Sequence, residues 1–289
     1  MTGHGRPDWR SLLFVSADDP VRLRKSHLRG ADAIILDLED AVAPARKQAA
    51  RDAIGAEIDR LAALEQALVV RVNKPWLAIL KDLAACIRPG VSAIMVPKVE
   101  EPAHIRIIAE MIGELENLHG LEADSIGIIC LVESAAGLEH MAALSMIPRV
   151  IGLALGSEDF ALGVGVAPTP ALLDLPCRQL ALAASRSGIM AIAVPASIAQ
   201  FRDTLPFANA VRQGRAFGIT GALCIHPRQV EIANRELSPT EEEVEQARFV
   251  LTAWNTHNAS GVMQLDGHMI DRPVMLRAAA ILARAGSAG

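Results

Sequence analysis

Short apolar runs recur along the chain at regular intervals, and each run is bounded by polar or turn-forming residues. The runs are continuous rather than alternating, which is typical of parallel strands that are buried on both faces. They are LLFV at 12–15, AIILDL at 33–38, ALVVRV at 67–72, AIMVPK at 93–98, IGIICLVE at 126–133, VIGLALGSED at 150–159, IMAIAV at 189–194 and GALCIH at 221–226. The pattern therefore predicts eight parallel strands.

Segments with helical periodicity separate these runs. Residues 44–60 and 102–118 are examples, and their length suits the crossover helices that parallel strands require. Eight strands, each followed by a helix, favour an α/β protein with a closed (β/α)8 TIM barrel over a doubly wound open sheet. Counting strands does not by itself prove that the sheet closes.

The pattern changes after residue 226, where only helices are predicted. Ser238 or Thr240, followed by Glu243, is a capping signal for the first long helix of this region. We therefore predict a TIM barrel catalytic domain over residues 1–235 and a C-terminal helical lid over residues 236–289.

Composition narrows the class of protein. A chain of 289 residues with 51% hydrophobic residues has a large core, which excludes a disordered chain and a small disulfide scaffold. The net charge of −5, with 6 Phe, 3 Trp and no Tyr, argues against nucleic acid as a partner. The four cysteines are widely spaced and predict reduced, buried thiols. Neither a signal peptide nor a membrane-spanning run is apparent, so we expect a cytoplasmic protein with no membrane partner.

Polar and charged residues end most of the predicted strands, which is where TIM barrels build their active sites. A buried charge is costly without a partner, so these side chains must pair with each other, with a metal or with a ligand. They are Asp37, Glu39, Asp40, Arg71, Asn73, Lys98, Glu133, Glu158, Asp159 and His226. A salt-bridged rim would explain any single one, but the excess of carboxylates indicates an added cation.

The oxygen-rich set favours Mg²⁺ over Zn²⁺, which prefers His and Cys. Glu133 and Asp159, which end adjacent predicted strands, are the predicted direct ligands. Arg71 would then be free to bind a substrate carboxylate through its bidentate fork. A metal and an arginine in these roles suit a 2-oxo acid held as its enolate, as in a lyase or aldolase.

Three residues have competing interpretations. Lys98 could form a Schiff base in a metal-free aldolase, but nearby carboxylates would raise its pKa and keep it protonated. His226 is interpreted as structural, because a lone histidine without a matched partner is weak support for chemistry. Asp271 directly precedes Arg272 and Pro273, so it could simply be a helix N-cap.

Eight ordered motifs resemble the citrate lyase β-subunit-like proteins of the HpcH/HpaI aldolase/citrate lyase family, which are Mg²⁺-dependent CoA-ester lyases. The motifs are RSLLFV at 10–15, GADAIILDLEDAV at 30–42, VVRVN at 69–73, VPK at 96–98, LVESAAG at 131–137, GSEDF at 156–160, CIHP at 224–227 and GHMIDRPV at 267–274. The resemblance implies a TIM barrel with a C-terminal helical lid, assembled as a homotrimer or hexamer.

The resemblance also implies a metal site. Glu133 and Asp159 match the two direct ligands of Mg²⁺, and Glu39 and Asp40 match positions that hold metal-bound waters. Glu133 is expected to contact the substrate as well.

Two further residues match catalytic positions of the family. Arg71 matches the arginine that binds the substrate carboxylate. Asp271 matches a general acid/base that reaches the active site of a neighbouring subunit.

The implied reaction is Mg²⁺-dependent, reversible cleavage of a 3-hydroxyacyl-CoA, such as citramalyl-CoA or malyl-CoA, to a 2-oxo acid and an acyl-CoA through a metal-stabilised enolate. Two alternatives stay open: a malyl-CoA thioesterase, and a carrier-dependent citrate lyase β-subunit that acts only in a complex. Ser16 and Ala17 replace a rigid turn common in the family, and Ala193 stands where many members have Asp. These departures leave the mode of CoA binding open.

Overall fold

A computed structural model describes residues 7–256, 261–265 and 267–286 of the chain. Eight parallel strands alternate with helices through most of it. The strands are β1 Ser11–Ser16, β2 Ala33–Asp37, β3 Ala67–Arg71, β4 Val91–Val96, β5 Gly127–Val132, β6 Val150–Leu155, β7 Met190–Ile192 and β8 Ala222–Cys224. The helices beside them are α1 Pro20–Lys25, α2 Lys47–Ala62, α3 Trp76–Cys86, α4 Pro102–Leu118, α5 Ala135–Leu144, α6 Ser157–Val164, α7 Pro170–Ser187, α8 Thr204–Phe217 and α9 Pro227–Leu237.

The sheet closes on itself. Strand β8 pairs in parallel with β1, and an isolated bridge between Ile192 and Gly221 joins the end of β7 to the residue just before β8. The order β7-β6-β5-β4-β3-β2-β1-β8 therefore forms a ring. This confirms the predicted TIM barrel and excludes the doubly wound sheet.

Alternate residues of the strands fill the barrel with aliphatic side chains. They are Leu12, Ala33, Ile35, Val69, Ala93, Met95, Ile129, Leu131, Ala154, Met190, Ile192 and Leu223. Because side chains on a strand alternate between faces, this parity also directs Asp37, Arg71 and Glu133 toward the barrel axis at its carboxyl end. The core thus determines which polar side chains can form a site.

The predicted strand over 150–159 extends furthest past the end of the observed strand. Strand β6 ends at Leu155 and α6 begins at Ser157, after its N-cap Gly156, so Glu158 and Asp159 lie in the first turn of a helix rather than at a strand end. The amide of Phe160 donates to the carbonyl of Gly156, which closes the first helical turn. Acidic residues are stabilised at this end of a helix by its dipole, which explains why the polar residues leave the strand here.

The chain divides into two compact units, Met1–Arg235 and Glu236–Gly289. In the second unit, α10 Glu241–Thr256 and α11 Arg272–Gly286 enclose a small core of Ala247, Val250, Ile270 and Ala278. An antiparallel pair, β9 Met263–Leu265 and β10 His268–Ile270, was not expected from the sequence. The role of this unit as a lid stays a prediction.

Thr240 provides the predicted cap of α10. Its amide donates to Glu243 Oε2 at 2.8 Å, and the amide of Glu243 donates to Thr240 Oγ1 at 3.2 Å. These reciprocal bonds form a capping box, which confirms Thr240 rather than Ser238 as the start signal.

The four cysteines are free and buried, as predicted, and burial raises the pKa of each thiol. Among the described helices, none has the length and apolar character needed to span a bilayer.

Candidate active site

A cavity of about 560 Å³ opens at the carboxyl ends of the barrel strands. It brings together six of the predicted strand-end residues, namely Asp37, Asp40, Arg71, Glu133, Glu158 and Asp159. Glu39 joins them through ion pairs with Arg71 and Lys98. The barrel unit therefore assembles one site from residues far apart in the sequence.

Arg71 is held by Asp37 on the neighbouring strand, where the two residues share a register position. Arg71 Nε donates to Asp37 Oδ1 at 2.8 Å and Nη2 donates to Oδ2 at 2.6 Å, while Nη1 lies 3.0 Å from Glu39 Oε2. The guanidinium also lies over the Phe14 ring, 4.7 Å from its centroid. The expectation that the bidentate fork of Arg71 is free for substrate is therefore wrong, because Asp37 occupies that edge. The Nη1 side, which faces Glu39, is the side that Asp37 does not occupy.

Asp37 has a larger part than the sequence indicated. Its side chain is buried, and besides binding Arg71 it accepts hydrogen bonds from the amides of Glu39 and Ala41. One carboxylate thus holds both the arginine and the loop that carries Glu39 and Asp40. The alternation of Ala33, Ile35 and Asp37 on the inner face of β2 is the signal that could have identified it.

Lys98 lies among the carboxylates. Its Nζ is 2.8 Å from Glu39 Oε1, 3.6 Å from Asp40 Oδ2 and 3.8 Å from Asp159 Oδ2. Burial alone would lower its pKa, but the hydrogen bond to Glu39 and the surrounding negative charge outweigh burial and raise it. A permanently charged ammonium is a poor nucleophile, so the geometry disfavours the Schiff-base alternative.

Glu133 is the most perturbed carboxyl group of the cavity. It follows β5, is 7% exposed, and accepts a hydrogen bond from the Lys98 amide at 2.7 Å. Burial, together with the charges of Glu39 and Asp159, outweighs the hydrogen bond from the Lys98 amide and raises the pKa of Glu133 to about 8. The Lys98 backbone adopts a left-handed conformation, with φ of 51°, and its amide makes this contact. A non-glycine residue pays a strain cost for that conformation, which is common at functional sites.

Gly156 leaves the space that Glu133 occupies. A Cβ atom at this position would lie 2.5 Å from Glu133 Cγ and 2.6 Å from Oε1. Any larger residue would displace the Glu133 carboxylate, so the glycine is required by close approach.

The start of α6 forms one wall of the cavity. Gly156 supplies no side-chain cap, so the first N–H groups of the helix lack a side-chain acceptor. Ser157 is 2% exposed, and its Oγ has no hydrogen-bond partner among the described residues. An uncapped helix start beside an unpartnered hydroxyl suits a carboxylate ligand. Ser157 was not predicted as a site residue, because the predicted strand continues through this position.

The acidic residues fit a hard divalent cation, although they do not form a complete cage. Among the described residues, no three His, Cys, Asp or Glu side chains form a ready metal site. Mg²⁺ usually takes one or two carboxylates and completes its shell with water and substrate oxygens, which Glu133 and Asp159 could support. Glu39 Oε2 is buried without a hydrogen bond of good geometry, and burial raises the pKa of Glu39. A nearby cation would compensate both of these costs.

The other predicted residues have structural contacts. The His226 ring stacks on Phe201 with centroids 4.7 Å apart, and its Nδ1 accepts from the Arg228 amide. Asp271, in the second unit, caps α11 by accepting from the Val274 amide at 3.1 Å. The cap agrees with one interpretation of Asp271, and its catalytic role stays a prediction.

Comparison with known proteins places this site in a family. The profile of HpcH/HpaI aldolase/citrate lyase matches residues 10–227, which include the whole barrel. The chain belongs to this family.

Two relatives in this family align with nearly the whole chain. The citrate lyase subunit beta of Leuconostoc mesenteroides subsp. cremoris is 30% identical over 278 residues, covering 94% of this chain and 92% of that protein. A (3S)-malyl-CoA thioesterase of Cereibacter sphaeroides (strain KD131) is 30% identical over 288 residues, covering 98% of this chain and 96% of that protein.

A solved structure of the family has the same fold. The CitE protein of Mycobacterium tuberculosis, in complex with magnesium, acetoacetate and coenzyme A, superposes with a TM-score of 0.74 at 29% identity. The match covers 96% of this chain and 97% of that chain.

Proposed function

We propose that the protein is a Mg²⁺-dependent CoA-ester lyase. It would cleave a 3-hydroxyacyl-CoA, such as citramalyl-CoA or malyl-CoA, to a 2-oxo acid and an acyl-CoA, or catalyse the reverse condensation. The observation that carries the proposal is the buried Glu133 carboxyl, which shares a cavity with Asp159 and Arg71. The CitE structure with magnesium, acetoacetate and coenzyme A supports the same combination of ligands.

Glu133 and Asp159 would hold the metal ion, and Glu39 and Asp40 would orient its waters. Bound there, Mg²⁺ would supply Lewis-acid stabilisation of the oxygen on which negative charge develops. Lys98 keeps Glu39 and Asp40 in place through its ion pairs. The four carboxylates can thus act together without all of them contacting the metal.

The carboxylate of the 2-oxo acid would bind at the start of α6. Ser157 Oγ and the first N–H groups of the helix would donate to it, and Arg71 Nη1 would face it from the other side of the cavity. The bond between Arg71 and Asp37 fixes the guanidinium plane before substrate arrives, which lowers the entropic cost of binding.

Cleavage requires two proton transfers. A base takes the proton of the 3-hydroxyl, whose oxygen becomes the carbonyl oxygen of the 2-oxo acid. The bond between C2 and C3 of the thioester breaks, and its electron pair forms the acyl-CoA enolate. Asp271 would then protonate the enolate carbon, and in condensation it would remove the same proton. We propose that Asp271 comes from a neighbouring subunit of a homotrimer or hexamer.

The direct test is turnover by the purified protein. With Mg²⁺, citramalyl-CoA should give pyruvate and acetyl-CoA, and malyl-CoA should give glyoxylate and acetyl-CoA, each measured by coupled assay and mass spectrometry. Glu133→Gln should abolish turnover, whereas Glu139→Gln, an exposed change on α5, should not. If folded protein releases no 2-oxo acid from any such thioester, the proposal fails.

Two relatives support alternatives that the same assay separates. Similarity to the (3S)-malyl-CoA thioesterase favours hydrolysis, which would release free CoA and malate without glyoxylate. Similarity to the citrate lyase subunit beta favours a carrier-dependent subunit, which would be inactive on CoA thioesters until an acyl carrier protein is added.

A further inference from the structure

A second polar cavity, of about 470 Å³, lies on the outer side of the barrel between α8 and α9. It shares no lining residue with the catalytic cavity. Four arginines and one glutamate line it, so positive charge is in excess in a chain whose net charge is −5. They are Arg202, Arg212, Arg228, Arg235 and Glu231. We call this cavity the arginine groove.

Helix geometry builds the arginine groove. Arg228, Glu231, Ile232 and Arg235 follow the spacing of one face of α9. The facing side of α8 contributes Leu205, Ala208 and Arg212 at similar spacing. Ala208 and Ile232 are buried, so the arginines surround an apolar base.

Two arginines of the groove are available to a ligand. Within the described residues, neither Arg202 nor Arg228 forms an ion pair with a carboxylate, and both are exposed. The nearby Asp203 carboxylate accepts from the Leu205 amide as the cap of α8. Among the residues that line the groove, Glu231 is the one carboxylate, so the lining carries more positive than negative charge, which would attract an anion.

We propose that the arginine groove binds a ligand that carries phosphate groups. Planar guanidinium groups bind phosphate oxygens in pairs, and several converging arginines suit more than one phosphate charge. This chemistry has two possible sources: a free polyphosphate anion, or the phosphates of a CoA thioester. The second source rests on the proposed function.

The position of the groove allows both sources. Under the proposed function, the catalytic cavity holds the acyl end of a CoA thioester, and the phosphates of CoA would lie outside it. Arg202 directly follows Phe201, and Arg228 lies two residues after His226; these two rings stack on each other. Ile198 and Ile225, which line the catalytic cavity, precede these two rings in the same chain segments. Along each segment, the ring therefore lies between a residue of the catalytic cavity and an arginine of the groove. A ligand could extend from one cavity to the other over this stack.

The first experiment measures binding without turnover. Pyrophosphate is titrated calorimetrically into the full-length protein at low salt, and into the variant Arg202→Gln/Arg228→Gln. We expect the variant to bind at least about tenfold more weakly. The matched control is Arg106→Gln/Arg186→Gln, which removes two exposed arginines from α4 and α7 and should bind as the unmodified protein does. Circular dichroism and melting temperature verify that both variants are folded.

The second experiment identifies the source of the phosphate. KM is compared for a CoA thioester and for the same acyl group on pantetheine, which lacks the nucleotide phosphates. A rise in KM for the CoA thioester alone assigns the groove to CoA, whereas unchanged KM values with weaker pyrophosphate binding assign it to a free anion. Equal pyrophosphate affinity in the groove variant and the unmodified protein overturns the proposal. Because calorimetry needs no reaction, failure of the proposed lyase activity would leave this result interpretable.

Discussion

The protonation state of Glu133 links the electrostatics of the cavity to metal binding. Its pKa of about 8, raised by burial from an ordinary value of 4.5, leaves the carboxyl largely protonated at neutral pH without metal. A metal ligand must be deprotonated, so Mg²⁺ binding at the proposed site would displace that proton. The residue is therefore expected to make metal binding dependent on pH.

We predict that the affinity for Mg²⁺ increases as pH rises from about 6 to about 8 and then levels off. Without metal, the same group contributes stability that is present below pH 4.5 and is lost as pH rises through about 8, since the folded state holds the proton more tightly. Calorimetric titration of Mg²⁺ and melting curves across this range provide the measurement. Glu133→Gln should remove both pH dependences, and Glu139→Gln should retain them.

The sequence could predict which strand-end residues share a site, but it could not predict their partners. Alternation along β2 and β3 determines that Asp37 and Arg71 face inward, yet their pairing requires the register of the two strands. The contact between Glu133 and the Lys98 amide depends on a left-handed backbone at residue 98, for which the run AIMVPK gives no signal. Ser157 was missed because an apolar run does not indicate where a strand ends and a helix begins.

At the scale of elements, a buried carboxylate joins α4 to the start of β5. Glu116 is 1% exposed, and its Oε1 accepts from the Ile126 amide at 2.8 Å and from Arg149 Nη1 at 2.8 Å. Burial alone would raise its pKa, but the hydrogen bond from Arg149 and those from the loop outweigh burial and lower it. This carboxylate fixes the turn that leads into β5, the strand that Glu133 directly follows.

We predict that Glu116→Gln lowers the free energy of unfolding by about 3 kcal/mol at pH 7, because it leaves the buried Arg149 with only the exposed Asp124 as a charge partner. A lowered pKa means that this stabilisation is present above the ordinary pKa of 4.5 and is lost as pH falls through the lower folded value. Urea denaturation at neutral and acid pH provides the measurement. The difference in free energy of unfolding between the variant and the unmodified protein should be smaller at acid pH. Glu110→Gln, an exposed change on the same helix, should leave stability nearly unchanged. An equal loss at both pH values would contradict the argument.

Elements with strong periodicity and clear caps were the most predictable. The bounds of α4 coincide with the predicted 102–118, because Pro102 begins the helix and the 3.6-residue period continues to Leu118. The predicted end of β6, at residue 159, lies four residues beyond the observed end at Leu155, since Gly156 has no side chain to mark the change of period. Local sequence patterns predict the bounds of long helices and strands well. A change from strand to helix within a few residues depends on tertiary contacts, such as that between Gly156 and Glu133.

At the scale of the whole molecule, closure of the barrel is a property that no single segment encodes. The register between β1 and β8 and the bridge between Ile192 and Gly221 join strands that are far apart in the sequence. The aliphatic interior makes such closure possible without large aromatic side chains, which explains the low aromatic content. The proposed catalytic role of Asp271, which lies in the second unit, is tested by substitution and by assembly.

Asp271 has a structural role and a proposed catalytic role, and two substitutions separate them. Asn is as good an N-cap as Asp but cannot transfer the proton, whereas Ala removes both functions. We predict that Asp271→Asn keeps the melting temperature and loses about 100-fold or more in kcat, and that Asp271→Ala also loses about 1 kcal/mol of stability. If Asp271→Asn retains full activity, Asp271 is only a cap.

Mixing two inactive variants tests whether each site is shared between subunits. Glu133→Gln and Asp271→Asn proteins are co-refolded, their assembly is measured by light scattering, and turnover of the thioester is followed. If Asp271 reaches a neighbouring barrel, about a quarter of the sites in a random mixture combine an intact Glu133 with an intact Asp271, and activity returns to that extent. If both residues serve the same subunit, each site lacks one of them and the mixed oligomers stay inactive. Restoration would thus require that the barrel unit of one chain works with the C-terminal unit of another.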